Sequence, residues 1–190
     1  MTDATERAYR WQAADGAGLE HLSLQVNDEL IIAEGVVIGN DDQRGAFGCN
    51  YRICCDGGWR VRSVEVHVAG GASLVLTGDG HGQWRDGDGL LQAHLSGCMD
   101  VDIAATPFTN TLPIRRLGHT LRRRTGIAVV YIPVPSLLPR RAEQAYTLLP
   151  DGRVLYEGPI GAFQATLELD ADGLVVHYPG LFTRIAAATP

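Results

Sequence analysis

The chain has 190 residues, 45% of them hydrophobic and 20% charged, with a net charge of −6. That balance supports a packed core and argues against disorder. The acidic excess argues against nucleic acid as a partner, because such binding relies on basic side chains that neutralise phosphates.

All sixteen basic residues are arginine, which coding bias explains more simply than anion recognition does. The start, MTDATERAYRW, lacks the apolar stretch of a secretory leader. The longest apolar runs, such as Ile127–Pro135, fall short of the ~20 residues a membrane span needs. The expectation is therefore a cytoplasmic protein that does not span a membrane. In that compartment its four cysteines, Cys49, Cys54, Cys55 and Cys98, stay thiols. Their spacing offers no zinc set, and no metal or cofactor motif stands out.

Along the chain, Leu22, Leu24 and Val26 alternate with His21, Ser23, Gln25 and Asn27, the period of a half-buried strand. Seven Asp-Gly dipeptides, from Asp15 to Asp172, supply hairpin turns. One of these segments, Gly78–Gly89, reads as a tight hairpin holding Trp84, since it lacks the spacing and distal Glu of a calcium loop. Next, Leu91, Ala93, Leu95, Met99, Val101 and Ile103 fall on one face of a long predicted strand. Gln92, His94, Ser96, Cys98, Asp100 and Asp102 fall on the other.

Short helical turns are expected near Thr106–Gly118 and Ser136–Gln144, where Pro107, Pro113 and Pro139 limit their length. Tyr146–Leu149 and Arg153–Glu157 then flank a turn at Asp151–Gly152, and Gln164–Tyr178 reads as a further hairpin. About ten strands result. The predicted fold is all-β and mainly antiparallel: a single curved sheet or open barrel-like fold with one or two short helices, as one domain over residues 1–190.

The densest polar cluster lies in Gly97–Leu117 (GCMDVDIAATPFTNTLPIRRL). Asp100 and Asp102 share a strand face about 7 Å apart, and such a pair repels itself unless a cation stands nearby. Arg115 and Arg116 are the candidate cations, because a guanidinium grips a carboxylate with two hydrogen bonds. Thr109 and Asn110 suit loop capping first and sugar hydroxyls second. Bracing of the loop is the simplest role for the cluster. A polar binding rim comes next, and an acid–base carboxylate pair third. Trp59 and Trp84 read as packing residues that could also line a pocket or stack on sugar rings.

Taken together, several segments resemble the bacterial glycolipid-binding family, long known as a domain of unknown function. They are Trp11 with Gly18-Leu19-Glu20-His21, Tyr51-Arg52-Ile53, Trp59-Arg60-Val61-Arg62, Asp79–Trp84, Gly97–Leu117, Asp172–Val175 and Tyr178–Phe182. The resemblance implies an all-β, curved or barrel-like fold similar to that of lipoprotein and lipoglycan carriers. It supplies no catalytic or binding residues.

Three functions follow from these readings. The first is a carrier of a glycolipid or similar amphiphile, with acyl chains in an apolar cavity of the sheet and the head group on a polar rim. Asp100, Asp102, Thr109, Asn110, Arg115, Arg116, Trp84 and Trp59 are its candidate ligand contacts. The second is an interaction module without a ligand, and the third is a hydrolase using Asp100 and Asp102. No catalytic residue, metal or cofactor is assigned.

Overall fold

A computed structural model of the chain describes residues 5–158 and 163–185. The single-domain reading over 1–190 thus includes short stretches outside the described residues. The first meander comprises β1 (Thr5–Ala13), β2 (Leu19–Val26), β3 (Leu30–Asp41), β4 (Gly45–Asp56), β5 (Val61–Val68), β6 (Ser73–Gly78) and β7 (Trp84–Asp86). The second comprises β8 (Asp100–Ile103), β9 (Thr125–Ile132), β10 (Arg140–Leu148), β11 (Val154–Glu157), β12 (Gln164–Leu169), β13 (Val175–Tyr178) and β14 (Phe182–Arg184). Pairing of β1 with β14 joins them into one fourteen-stranded sheet. Every ladder is antiparallel except β8 with β9. The chain therefore adopts the all-β, mainly antiparallel open sheet expected of it, with one short helix, α1 (Thr111–Leu117).

Four turns share one device. Asp56, Asp79, Asp86 and Asp170 each accept hydrogen bonds from the backbone N–H groups two and four residues further on. The carboxylate thereby replaces the backbone partners that a tight turn cannot supply.

The edge strands β7 and β8 do not pair with each other, and Leu91–Met99 spans the interval between them. Along it, the Gln92 N–H donates to Trp84 O at 2.8 Å, Gly97 N–H to Gly82 O at 2.8 Å and Met99 N–H to Ala128 O at 3.2 Å. The backbones come so close that a Cβ on Gly82, whose φ is +93°, would stand 3.0 Å from the Gly97 Cα. This crossing corrects the long strand predicted over Leu91–Ile103. Gly97 adopts a φ of +82° and breaks the alternation. Ala93–Leu95 is a 3-10 turn, and only Asp100–Ile103 is strand.

The helical turn expected near Ser136–Gln144 also gives way, because Arg140–Tyr146 is taken up in full register by β9. Fourteen strands stand where about ten or more were expected, and the shortest, β7 and β14, have only three residues each, too few for periodicity to register.

Inward side chains such as Leu22, Ile31, Ile53, Val64 and Leu76 form the main core with Trp11, Phe108 and Leu112. A smaller core gathers Tyr146, Val154, Tyr156, Leu167 and Tyr178 against Ile114 and Leu121. The segment from Phe108 to Leu121 thus serves both cores. It packs on the buried face of the sheet, where an apolar cavity for acyl chains was expected.

Candidate functional site

The polar cluster read from the sequence folds into two sets of contacts, one around each aspartate of β8. Asp100, fully buried, receives Nε and Nη2 of Arg116 at 2.9 and 2.5 Å, the two-pronged geometry that satisfies both carboxylate oxygens. Burial pushes the Asp100 carboxyl above its ordinary range, and the guanidinium pulls against that shift. Asp102 accepts from Gln144 Nε2 at 2.5 Å and from Thr109 Oγ1 at 3.3 Å, while its burial likewise raises its pKa. The chain of contacts continues through Tyr146, whose hydroxyl lies 3.1 Å from both Gln144 Oε1 and Asn110 Oδ1.

Five of the eight candidates, Asp100, Asp102, Thr109, Asn110 and Arg116, therefore meet here. The enclosure of Asp100 leaves no room for a substrate at its oxygens. Asp102 lines a groove of about 540 Å³ with Tyr131, Arg140 and Tyr156.

The other three candidates lie apart from these contacts. Trp84 is buried and donates its indole N–H to Cys98 O at 2.8 Å. Trp59 and Arg115 come together elsewhere, the guanidinium 5.1 Å from the ring centroid. They line a pocket of about 150 Å³ with Tyr9, Leu24 and Leu174. Trp59 has a φ of 62°, a backbone state that costs a non-glycine residue roughly 1 kcal/mol or more.

A different group dominates the site that sequence reasoning missed. Glu20 is 2% exposed and points inward with Leu22 and Leu24 rather than outward with His21 and Ser23. Its Oε1 receives the Tyr51 hydroxyl at 2.5 Å and the Thr106 hydroxyl at 2.7 Å. Its Oε2 has no partner among the described residues. Burial pushes the carboxyl up to about 7, against the lowering effect of the two hydroxyls. The same burial, aided by the Glu20 charge, holds the Tyr51 hydroxyl well above its usual range.

Tyr51 reaches Glu20 because it pairs across β3 and β4 with Gly35, where a Cβ would stand 2.2 Å from the tyrosine ring. Phe47 lies over Gly39 in the same manner, with 2.8 Å to such a Cβ. The ring-over-glycine arrangement fixes both aromatics on the inner face.

Glu20 lines a pocket of about 180 Å³ walled by Trp11, Phe47, Ala105 and Phe182. Asp15 and Asp41 also contribute to it, as do the partly exposed Leu19 and Ile38. The pocket thus combines one buried carboxyl, Glu20, with acidic and apolar residues that reach solvent. The signal available in the sequence was parity: Glu20 sits two residues before Leu22 on the apolar side of the alternation.

Comparison with known proteins places this arrangement. The family described as "Putative glycolipid-binding" matches residues 8–184. The chain belongs to this family. A solved structure of a DUF1089-family protein from Pseudomonas aeruginosa is 40% identical. It superposes with a TM-score of 0.79 over 89% of this chain and 92% of that one. No curated protein matches the chain significantly. Glu20, Tyr51, Thr106 and the Asp100–Arg116 pair all fall within the span matched to the glycolipid-binding family. No described helix is long and apolar enough to cross a membrane.

Proposed function

We propose that this protein binds a glycolipid-type amphiphile, with a ring-sized part of the polar head in the Glu20 pocket and the tail across Leu19 and Ile38. The observation that carries this reading is the unpartnered, buried Oε2 of Glu20. A buried polar atom without a partner costs about 1–3 kcal/mol, and a ligand hydroxyl would remove that cost. The size is suitable, since an apolar cavity of about 150 Å³ is enough for a benzene ring and this pocket measures about 180 Å³. Glu20 is the buried charged group of this pocket, beside the buried Trp11, Val37 and Val134, and Asp15, Leu19 and Ile38 line its exposed part.

The Asp100–Arg116 and Asp102–Gln144 contacts take a supporting part in this proposal. They hold the segment that carries Thr106 against the sheet. Trp59 and Arg115, with their own pocket, are assigned a secondary contact along the ligand.

The test is calorimetric titration with octyl glucoside below its micellar concentration, with glucose and octanol as separate controls. Binding should need both halves of the molecule and fall at least tenfold in Glu20→Leu, while Arg141→Ala, in the distant groove, should bind as the parent does. Equal affinity in Glu20→Leu would remove the pocket from the proposal.

A further inference from the structure

The charge around the Glu20 pocket selects among head groups. Among the described residues that line it, Asp15, Glu20 and Asp41 are acidic, and none is arginine or histidine, although the chain carries sixteen arginines. The nearest facing groups give no compensation. The cross-strand partners of Glu20 are Trp11 on β1 and Val37 on β3, neither of which titrates. From β4 come the Tyr51 hydroxyl and the Cys49 thiol, whose own ionisation Glu20 opposes. From the segment after β8 comes the Thr106 hydroxyl. Both hydroxyls are already spent on Oε1. A phosphate, sulfate or carboxylate head would meet three acids and no cation.

Resting on the reading that this pocket takes a head group, we infer that the head group is a primary amine, carried as its ammonium ion on an aminated glycolipid or similar aminated amphiphile. An ammonium brings three donors and no acceptor, which suits an oxygen that lacks a donor. It brings the positive charge that the lining lacks. The rings of Trp11, Phe47 and Phe182 add walls whose faces attract cations. A neutral hydroxyl would satisfy Oε2 but bring no charge to a lining whose other acids, Asp15 and Asp41, are eased only by backbone N–H groups of their own turns.

The pairing has a proton signature. Glu20 in the free protein ionises near 7, so at about pH 6 most molecules hold a proton there, which an incoming ammonium expels. A neutral head leaves that proton in place.

The experiment compares octyl glucosaminide, its N-acetyl derivative and octyl glucoside by titration calorimetry at about pH 6, in two buffers of different ionisation heat. The amine is expected to bind at least tenfold tighter than the other two, releasing close to one proton per ligand in the parent protein. In Glu20→Gln that preference and the proton release should both vanish, and the proton count on the parent stands even if the variant folds poorly. Equal binding of all three ligands would overturn the amine assignment and leave the pocket as a neutral-sugar site. A preference that persists in Glu20→Gln would overturn it too, placing the ammonium at Asp15 and Asp41. Failure of all three to bind would overturn the head-group reading itself.

Discussion

Among the described residues the buried acids are Asp100 and Glu20, and they are treated in opposite ways. Asp100 and its neighbour Asp102 stand on β8, where each carboxylate is engaged by a side chain of a distant element. Glu20 lines a pocket with one oxygen gripped twice and the other left bare. The first arrangement is what stability requires of a buried charge. The second carries a cost that the fold itself does not relieve, and that difference separates a brace from the pocket proposed to take a ligand. Residue type alone does not make this distinction, since both regions present carboxylates beside threonines and aromatics.

The comparison can be broken most forcefully at the brace. Arg116→Ala leaves Asp100 enclosed without its cation and should cost about 3–5 kcal/mol in denaturant unfolding. Replacing both partners by apolar residues, Asp100→Leu with Arg116→Met, should recover most of that loss. A small effect of Arg116→Ala would show that Asp100 sits neutral in the fold and that the brace does not depend on the ion pair.

The pocket should answer to pH instead. The folded-state value of Glu20, about 7, lies above its ordinary 4.5. Its contribution is thus fully present below about pH 4.5 and is lost as pH rises through about 7, a change on the order of 3 kcal/mol. Measured against Glu20→Gln, which cannot titrate, the parent should become relatively less stable across that window. Parallel stability curves for the two proteins would mean that Glu20 ionises normally and that its pocket is well hydrated.

A smaller effect is expected at Gly35. An alanine there would push its Cβ into the Tyr51 ring and should cost about 1–3 kcal/mol, as overpacking does. It should also displace the Tyr51 hydroxyl from Glu20, so ligand affinity should fall with stability. Retained affinity in a destabilised Gly35→Ala would separate the tyrosine from the site.

Much of the fold was legible because alternation and Asp-Gly turns are local signals. The hairpins at Asp151–Gly152 and Gln164–Tyr178, and the acid–arginine bracing near Asp100, could be read directly. The crossing at Gly97 was not legible, because its cause is a backbone contact with Gly82 fifteen positions earlier. Glu20 was missed for a related reason. A single acid on an apolar face looks like an irregularity until Tyr51, thirty-one positions away, and Thr106, eighty-six away, are seen to converge on it.

The pairing of β1 with β14 has a consequence for how the molecule assembles. Trp11 aligns with Arg184 in this ladder, and the Trp11 indole also donates to Val175 O at 2.8 Å. The other ladders join strands that are neighbours in the chain, so each meander can grow from its own hairpins. Joining them requires closure of nearly the whole polypeptide, which costs entropy before any contact compensates. Substitutions in that ladder are therefore expected to speed unfolding and leave the folding rate almost unchanged. The halves already share a core that joins Leu22 and Ile53 to Phe108 and Leu112, and the seam between the chain's ends would be the last ladder to form.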